Sequence, residues 1–349
     1  MRWMKRIFRS RVGLVLALLG DVLLHAVPRG GEYGLKAADL RAALTAQEQV
    51  TARWIDLAGV VGTAVGMDAA GKPVVKVYLT APGVAALPAT VAGVPVVPEV
   101  TGPIVAYGAE GARASDEPVD PKRGFPRPVP IGVSTGHPAI TAGTIGARVT
   151  DGDHVYALSN NHVLAAVNQG HEGDPFLQPG VADGGRDPED ALGTLADFEP
   201  IRMCQAFVCP ENRIDAALAL TTKDELGNAT PDGGYGTPRR RTEEVKLGMT
   251  VQKYGRTTGL TMGRVTGVHA TIDVGYGPGS ARFVDQIVIS DGTFSNPGDS
   301  GSLVVTKGTL LGDRRPVGLL FAGSNVNTIA NPIDLVLQRF GVRIDGEGP

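Results

Sequence analysis

A chain of 349 residues can hold two compact domains, or one with extensions, and its 42% hydrophobic content supplies a core. Aromatic residues make up only 5%, while 48 glycines and 25 prolines favour short strands and tight turns over long helices. A net charge of −3 gives no reason to expect nucleic acid as a partner, and a run as short as Arg239-Arg240-Arg241 makes a surface loop more often than a binding patch.

The chain begins with Arg2, Lys5, Arg6, Arg9 and Arg11 ahead of the apolar run Val12 to Leu19. Asp21 and His25 follow closely and stop the run from extending, so a membrane-spanning helix of about twenty residues is not expected. Val27-Pro28-Arg29 makes a poor cleavage site. Three readings of residues 1–35 stay open: an export signal, a basic segment lying on a membrane surface, or an extension without function. Export is preferred, which places the protein outside the cytoplasm, with the cytoplasm as the alternative. Any membrane association would run through this segment.

Residues 36–108 read as a small α/β module. Leu40, Leu44, Gln47, Val50 and Trp54 recur at helical steps between Ala37 and Leu57. A hairpin follows from Val60, turning at Asp68 to Lys72 and continuing through alternating Val75, Val77 and Leu79. Short strands broken by prolines run on to Tyr107. Residues 109–130 carry Pro118, Pro121, Pro126, Pro128 and Pro130 with few large apolar residues, and are expected to be an extended, exposed linker. Lys122-Arg123 could be a processing site within it, although a passive tether is the simpler reading.

Residues 131–349 read as a second, strand-rich unit. A hairpin turning at Asp151-Gly152-Asp153 delivers His162 at the end of its second strand. Glu172 to Asp190 is a polar, glycine-rich loop of the kind that rims a cleft. Cys204 and Cys209 form either a small disulfide in an oxidising compartment or two reduced thiols in the cytosol. They match no zinc spacing.

The most informative stretch is Asn296-Pro297-Gly298-Asp299-Ser300-Gly301-Ser302, followed by Leu303-Val304-Val305. A serine between glycines lets the backbone turn sharply, so that its hydroxyl stands clear. The N–H groups of Gly298 and Ser300 could then converge on one oxygen and stabilise a tetrahedral intermediate. Upstream, "LSNNHVL" places His162 after an apolar strand, and "IDAALAL" places Asp215 at the mouth of another. A serine hydroxyl is a poor nucleophile until a base takes its proton, and an imidazole does so when a carboxylate fixes its tautomer. Each residue alone also has a plain structural reading, as a turn, a packed histidine or a capping carboxylate. The three together, in this order, point to acyl transfer, a chemistry that needs no cofactor.

From about Pro128 to Phe340 these blocks resemble the trypsin-like (chymotrypsin-fold) serine peptidases of bacterial type. The resemblance implies a mainly β, two-barrel fold closed by a C-terminal helix ("ANPIDLVLQRFGV"), with His162, Asp215 and Ser300 in the groove between barrels. It implies a polypeptide substrate paired with the strand "PVGLLFAGS", at Phe321, Ala322 and Gly323. It also implies that Phe294, six residues before the nucleophile, lies at the base of the specificity pocket, which disfavours Lys or Arg there. Asp299 would support the oxyanion backbone, in relatives sometimes through a freed amino terminus; its partner here is not legible. Val163 stands where the family often has a cysteine, so no disulfide flanks the base. The expected activity is endopeptidase. The alternatives are a silent peptide-binding scaffold and a protein that cleaves itself once.

Overall fold

The computed structural model describes residues 36–106, 119–206, 208–277, 279–290, 292–308 and 313–348. The basic and apolar segment at 1–35 therefore lies outside the described residues. Among those described, no helix is long and apolar enough to cross a membrane.

Helix α1 (Ala37–Trp54) buries Leu40, Gln47, Val50 and Trp54 of the residues expected at helical spacing, together with Ala43 and Ala46, while Leu44 is half-buried. Asp39 in its first turn and Arg53 in its last complement the helix dipole. Strands β1 (Val60–Met67) and β2 (Pro73–Leu79) form the expected hairpin. Its turn closes because the Asp68 carboxylate accepts the Ala70 and Lys72 N–H groups. Three further strands follow, β3 (Thr90–Val91), β4 (Val94–Val100) and β5 (Val105–Ala106).

The next part of the chain is built from β6 (Ser134–Thr135), β7 (Gly143–Thr144), β8 (Ala147–Thr150) and β9 (Val155–Ser159). The short helix α2 (Asn161–Leu164) leads to β10 (Pro175–Leu177), β11 (Ala191–Phe198), β12 (Glu211–Asn212) and β13 (Ala217–Thr221). The C-terminal part comprises β14 (Thr250–Gly255), β15 (Gly259–Tyr276), β16 (Gly279–Ser290), β17 (Leu303–Thr306), β18 (Pro316–Gly323) and β19 (Asn327–Pro332). Helix α3 (Ile333–Phe340) and β20 (Arg343–Ile344) end the fold.

The fold is mainly β, with a helix near its C-terminal end. One sheet runs β10-β11-β13-β9-β8-β20, and β6 pairs with β7 in a two-stranded sheet. The largest sheet has twelve strands, ordered β12-β16-β19-β18-β17-β14-β15-β1-β2-β4-β3, with β5 paired to β15 and β18. Because β16 also pairs with β15, the path β15-β14-β17-β18-β19-β16 returns to its start.

The N-terminal helix and hairpin are continuous with this sheet. Strand β1 pairs antiparallel with β15, from Gly62 opposite Ile272 to Gly66 opposite Gly267. Leu40, Val50 and Trp54 share one apolar cluster with Val251, Ile287, Phe294 and Leu320. A second cluster, containing Leu158, Tyr254, Leu303, Leu319, Ile333 and Val336, joins the six-stranded sheet to the circuit and seats α3.

The described end of the proline-rich stretch does not run free in solvent. The Val119 carbonyl accepts the Tyr254 hydroxyl at 3.3 Å, and the Arg123 carbonyl accepts Gln178 Nε2 at 2.8 Å. Val129 is buried, and its N–H donates to the Glu225 carbonyl. Proline lacks an N–H, but the carbonyls and single apolar anchors of such a segment still bond to a surface.

Candidate active site

Strand β9 ends at Ser159, and the chain turns at Asn160 into α2, which carries His162. Asn160 Nδ2 donates to the Asp215 carbonyl at 2.7 Å, tying this turn to the entrance of β13. Asn331 of β19 holds the same backbone from the other side. Its Oδ1 accepts the Asp215 N–H at 3.1 Å, and its Nδ2 donates to the Asp215 and Leu319 carbonyls.

His162 and Asp215 are brought together. His162 Nδ1 lies 2.6 Å from Asp215 Oδ2, with His162 8% exposed and Asp215 fully buried. An ionised carboxylate only accepts, so this contact is a hydrogen bond when Nδ1 carries the proton. The His162 N–H donates to Asp215 Oδ1 at 3.2 Å. A third donor, the Tyr276 hydroxyl, reaches Asp215 Oδ2 at 2.8 Å, and its ring meets the imidazole edge-on with centroids 6.0 Å apart. Burial, reinforced by the Asp215 charge, pushes the Tyr276 phenol well above its ordinary value, so it stays a donor.

Ser300 sits on the loop before β17 and is fully buried. Its hydroxyl donates to the Phe321 carbonyl at 3.2 Å, while His162 Nε2 is buried and has no hydrogen-bond partner among the described residues. The carboxylate–imidazole link is thus made and the imidazole–hydroxyl link is not. The loop nevertheless packs directly on the strands beside His162. The Thr144 N–H donates to the Ser300 carbonyl at 2.7 Å, and Thr144 Oγ1 donates to the Gly298 carbonyl at 2.9 Å. Gly301 has φ +93°, and a Cβ there would collide with Ser159 Oγ and the Thr144 carbonyl. Only glycine fits.

Gly298 also has a left-handed φ, +98°. Among the described residues, the N–H groups of Gly298 and Ser300 make no hydrogen bond. Asp299 holds the loop in shape from within. It accepts the N–H groups of Thr257, Thr258 and Asn296 and the Thr258 hydroxyl. Its charge is met by Lys253 Nζ at 3.7 Å, both side chains being fully buried. The partner of Asp299 is therefore an internal lysine on β14. A bidentate pair, Arg256 with Asp183, flanks the same loop at 2.6 Å and links it to the polar segment after β10.

The other expected site residues fall as follows. Phe321, Ala322 and Gly323 lie on β18, all buried. Phe294 is fully buried in the apolar cluster beneath α1, so its ring serves as core there rather than facing a solvent-open pocket. Cys204 and Cys209 are joined in a disulfide. Among the described residues no group of three or more His, Cys, Asp or Glu could hold a metal ion.

Tyr276, Asn331 and Lys253 did not emerge from sequence reasoning. Lys253 left a faint signal, since it shares a strand face with the core residue Val251. Tyr276 is separated from Asp215 by 61 residues, and no local pattern links them.

The family model of the Nal1 C-terminal domain matches residues 241–331, a stretch that contains Ser300 but neither His162 nor Asp215. A 66-residue segment is 41% identical to serine protease 2 of Streptomyces fradiae, covering 19% of this chain and 35% of that protein. The chain is similar to the bacterial trypsin-like serine peptidases. It spans only 35% of the length of the curated relative it matches. Among solved structures, a glutamic acid-specific serine protease aligns over 62% of this chain and all of its own, at 18% identity and TM-score 0.43. Thermobifida fusca protease A aligns over 63% of this chain and all of its own, also at 18% identity and TM-score 0.43.

Proposed function

We propose that the protein is a serine-type endopeptidase acting through His162, Asp215 and Ser300. The observation that supports this best is the buried His162–Asp215 pair held directly against the Ser300 loop. In this reading the closed strand circuit is one barrel, the six-stranded sheet is the other, and residues 131–349 form the catalytic unit.

The Ser300 hydroxyl first turns from the Phe321 carbonyl to His162 Nε2. As its oxygen attacks a peptide carbonyl, His162 takes the proton and becomes imidazolium, with Asp215 ionised beside it. The N–H groups of Gly298 and Ser300 receive the oxyanion. Collapse expels the amine, which takes the proton from His162, and water repeats the cycle on the acyl-enzyme. Asp299 and Lys253 position the loop and touch no reacting atom.

The test is intact mass after exposure to a fluorophosphonate, with Ser300→Ala and His162→Ala as controls. The expected result is one adduct on the parent protein and none on either variant. An adduct that survives Ser300→Ala refutes the assignment. A second reading, a silent peptide-binding scaffold, draws on the Ser300 hydroxyl bonding to Phe321 rather than His162. It predicts folded protein without an adduct.

A further inference from the structure

Strand β18 has two edges. Along one it pairs with β19, which places Ala322 opposite Ile329 and Gly323 opposite Thr328. Along the other, at the same two residues, lies β5. It runs antiparallel, with Ala106 opposite Ala322 and Val105 opposite Gly323. The register has a direction. As the chain passes from Val105 to Ala106, its partner passes from Gly323 to Ala322, toward Phe321, whose carbonyl holds the Ser300 hydroxyl.

The contact is small but delivered by a rigid support. Ile104 is buried among Tyr276, Phe283, Phe321 and Ala322, and the Gly275 N–H donates to its carbonyl at 2.9 Å. Val105 also pairs with Gly275 of β15. Upstream, β4 is bound to β2, and β1 to β15. The short connection from Val100 to Val105 therefore holds β5 beside β18 at high effective concentration. Among the described residues two pair with β18, and Val105 remains 42% exposed, so the described part of β5 adds few contacts to that edge.

We propose that the edge of β18 at Ala322–Gly323 is a peptide-docking edge which the chain fills with its own Val105–Ala106. An external extended peptide then binds by displacing β5. This rests on the reading of β18 as the strand that receives substrate. It adds the identity of the resident occupant and a ligand class: an extended segment with small aliphatic side chains at two successive positions, bound by antiparallel main-chain pairing. Apparent affinity for an outside peptide is lowered by the fraction of molecules whose edge is already filled.

The experiment measures binding apart from catalysis. The probe is a fluorescein-labelled peptide with the chain's own sequence Thr101–Ala106, titrated against full-length Ser300→Ala protein by fluorescence anisotropy. In that background, Val105→Pro removes an N–H from β5 and is expected to tighten binding at least fivefold. Ala106→Cys with Ala322→Cys creates a directly opposed pair about 4.5–5.5 Å apart at Cα, within disulfide reach. Oxidised, this lock is expected to weaken peptide binding at least tenfold relative to its reduced form. Reductant applied to the unlocked protein controls for Cys204–Cys209. Equal binding by the oxidised and reduced lock overturns the proposal, as does a folded Val105→Pro variant that binds no better. If Val105→Pro does not fold, the lock decides. Edge-dependent binding without a fluorophosphonate adduct sinks the hydrolase reading and leaves the docking edge standing. An adduct with lock-independent binding does the reverse.

Discussion

The Asp215 carboxylate accepts from three groups, and the sharing has a measurable consequence. Its Oδ2 serves both His162 and Tyr276, so the phenol fixes the carboxylate against which the imidazole is aligned. A hydrogen bond to a charged group contributes about 1.5–3 kcal/mol. Tyr276→Phe is therefore expected to slow fluorophosphonate labelling roughly tenfold or more while unfolding stays cooperative; an unchanged rate would show that His162 and its backbone suffice. The Lys253–Asp299 pair makes a different prediction. Removing one partner of a buried ion pair costs about 3–5 kcal/mol, because the other charge is stranded. Lys253→Met should lower stability by that amount in urea unfolding, and adding Asp299→Asn should restore part of it. The residues proposed to bear the chemistry could be named from sequence because each sits in a distinctive local string. Those that hold them could not, since Tyr276 and Lys253 find their partners across 61 residues and between strands.

At the scale of elements, strands with period-two alternation and a clear turn were readable, as in β1–β2 and β8–β9. Pairs of two residues, such as β5, β6 and β12, have no period to detect. Irregularities within a strand are equally silent in sequence. The β15–β16 ladder shifts register around Ala270, where His269 and Asp285 both adopt positive φ. The two side chains bond at 2.7 Å, and Arg213 adds a second contact to Asp285. The hydrogen bond to Asp285 raises His269 above its ordinary 6.5. Burial acts to raise Asp285, but His269 and Arg213 outweigh it and hold it below its ordinary 3.8. The histidine's contribution is complete below 6.5 and is lost as pH rises through its raised value. The aspartate's is present above 3.8 and is lost as pH falls through its lowered value. His269→Gln should therefore lower the melting temperature more at pH 5.5 than at pH 9. Equal losses at both would mean the pair is electrostatically idle.

For the whole molecule, composition shows a strand-rich protein but not how its parts share a core. A division near residue 108 looks natural in sequence because the prolines and charges that follow resemble a tether. The structure instead sets α1 and β1 against residues of the C-terminal half. Such a shared core predicts one unfolding transition. Trp54 fluorescence, with Trp3→Phe to silence the other tryptophan, should coincide with the loss of β-sheet circular dichroism. Trp54→Ala should lower stability by about 3–5 kcal/mol for the molecule as a whole. Two separated transitions would restore the picture of a detachable module.

The lysine that answers Asp299 lies on β14 of the same chain, so the nucleophile loop gains its counter-charge as the strands assemble. A chain cut after Arg123 would present a new amino terminus to an acid that already has its cation. Maturation by cleavage then has nothing left to complete at this loop.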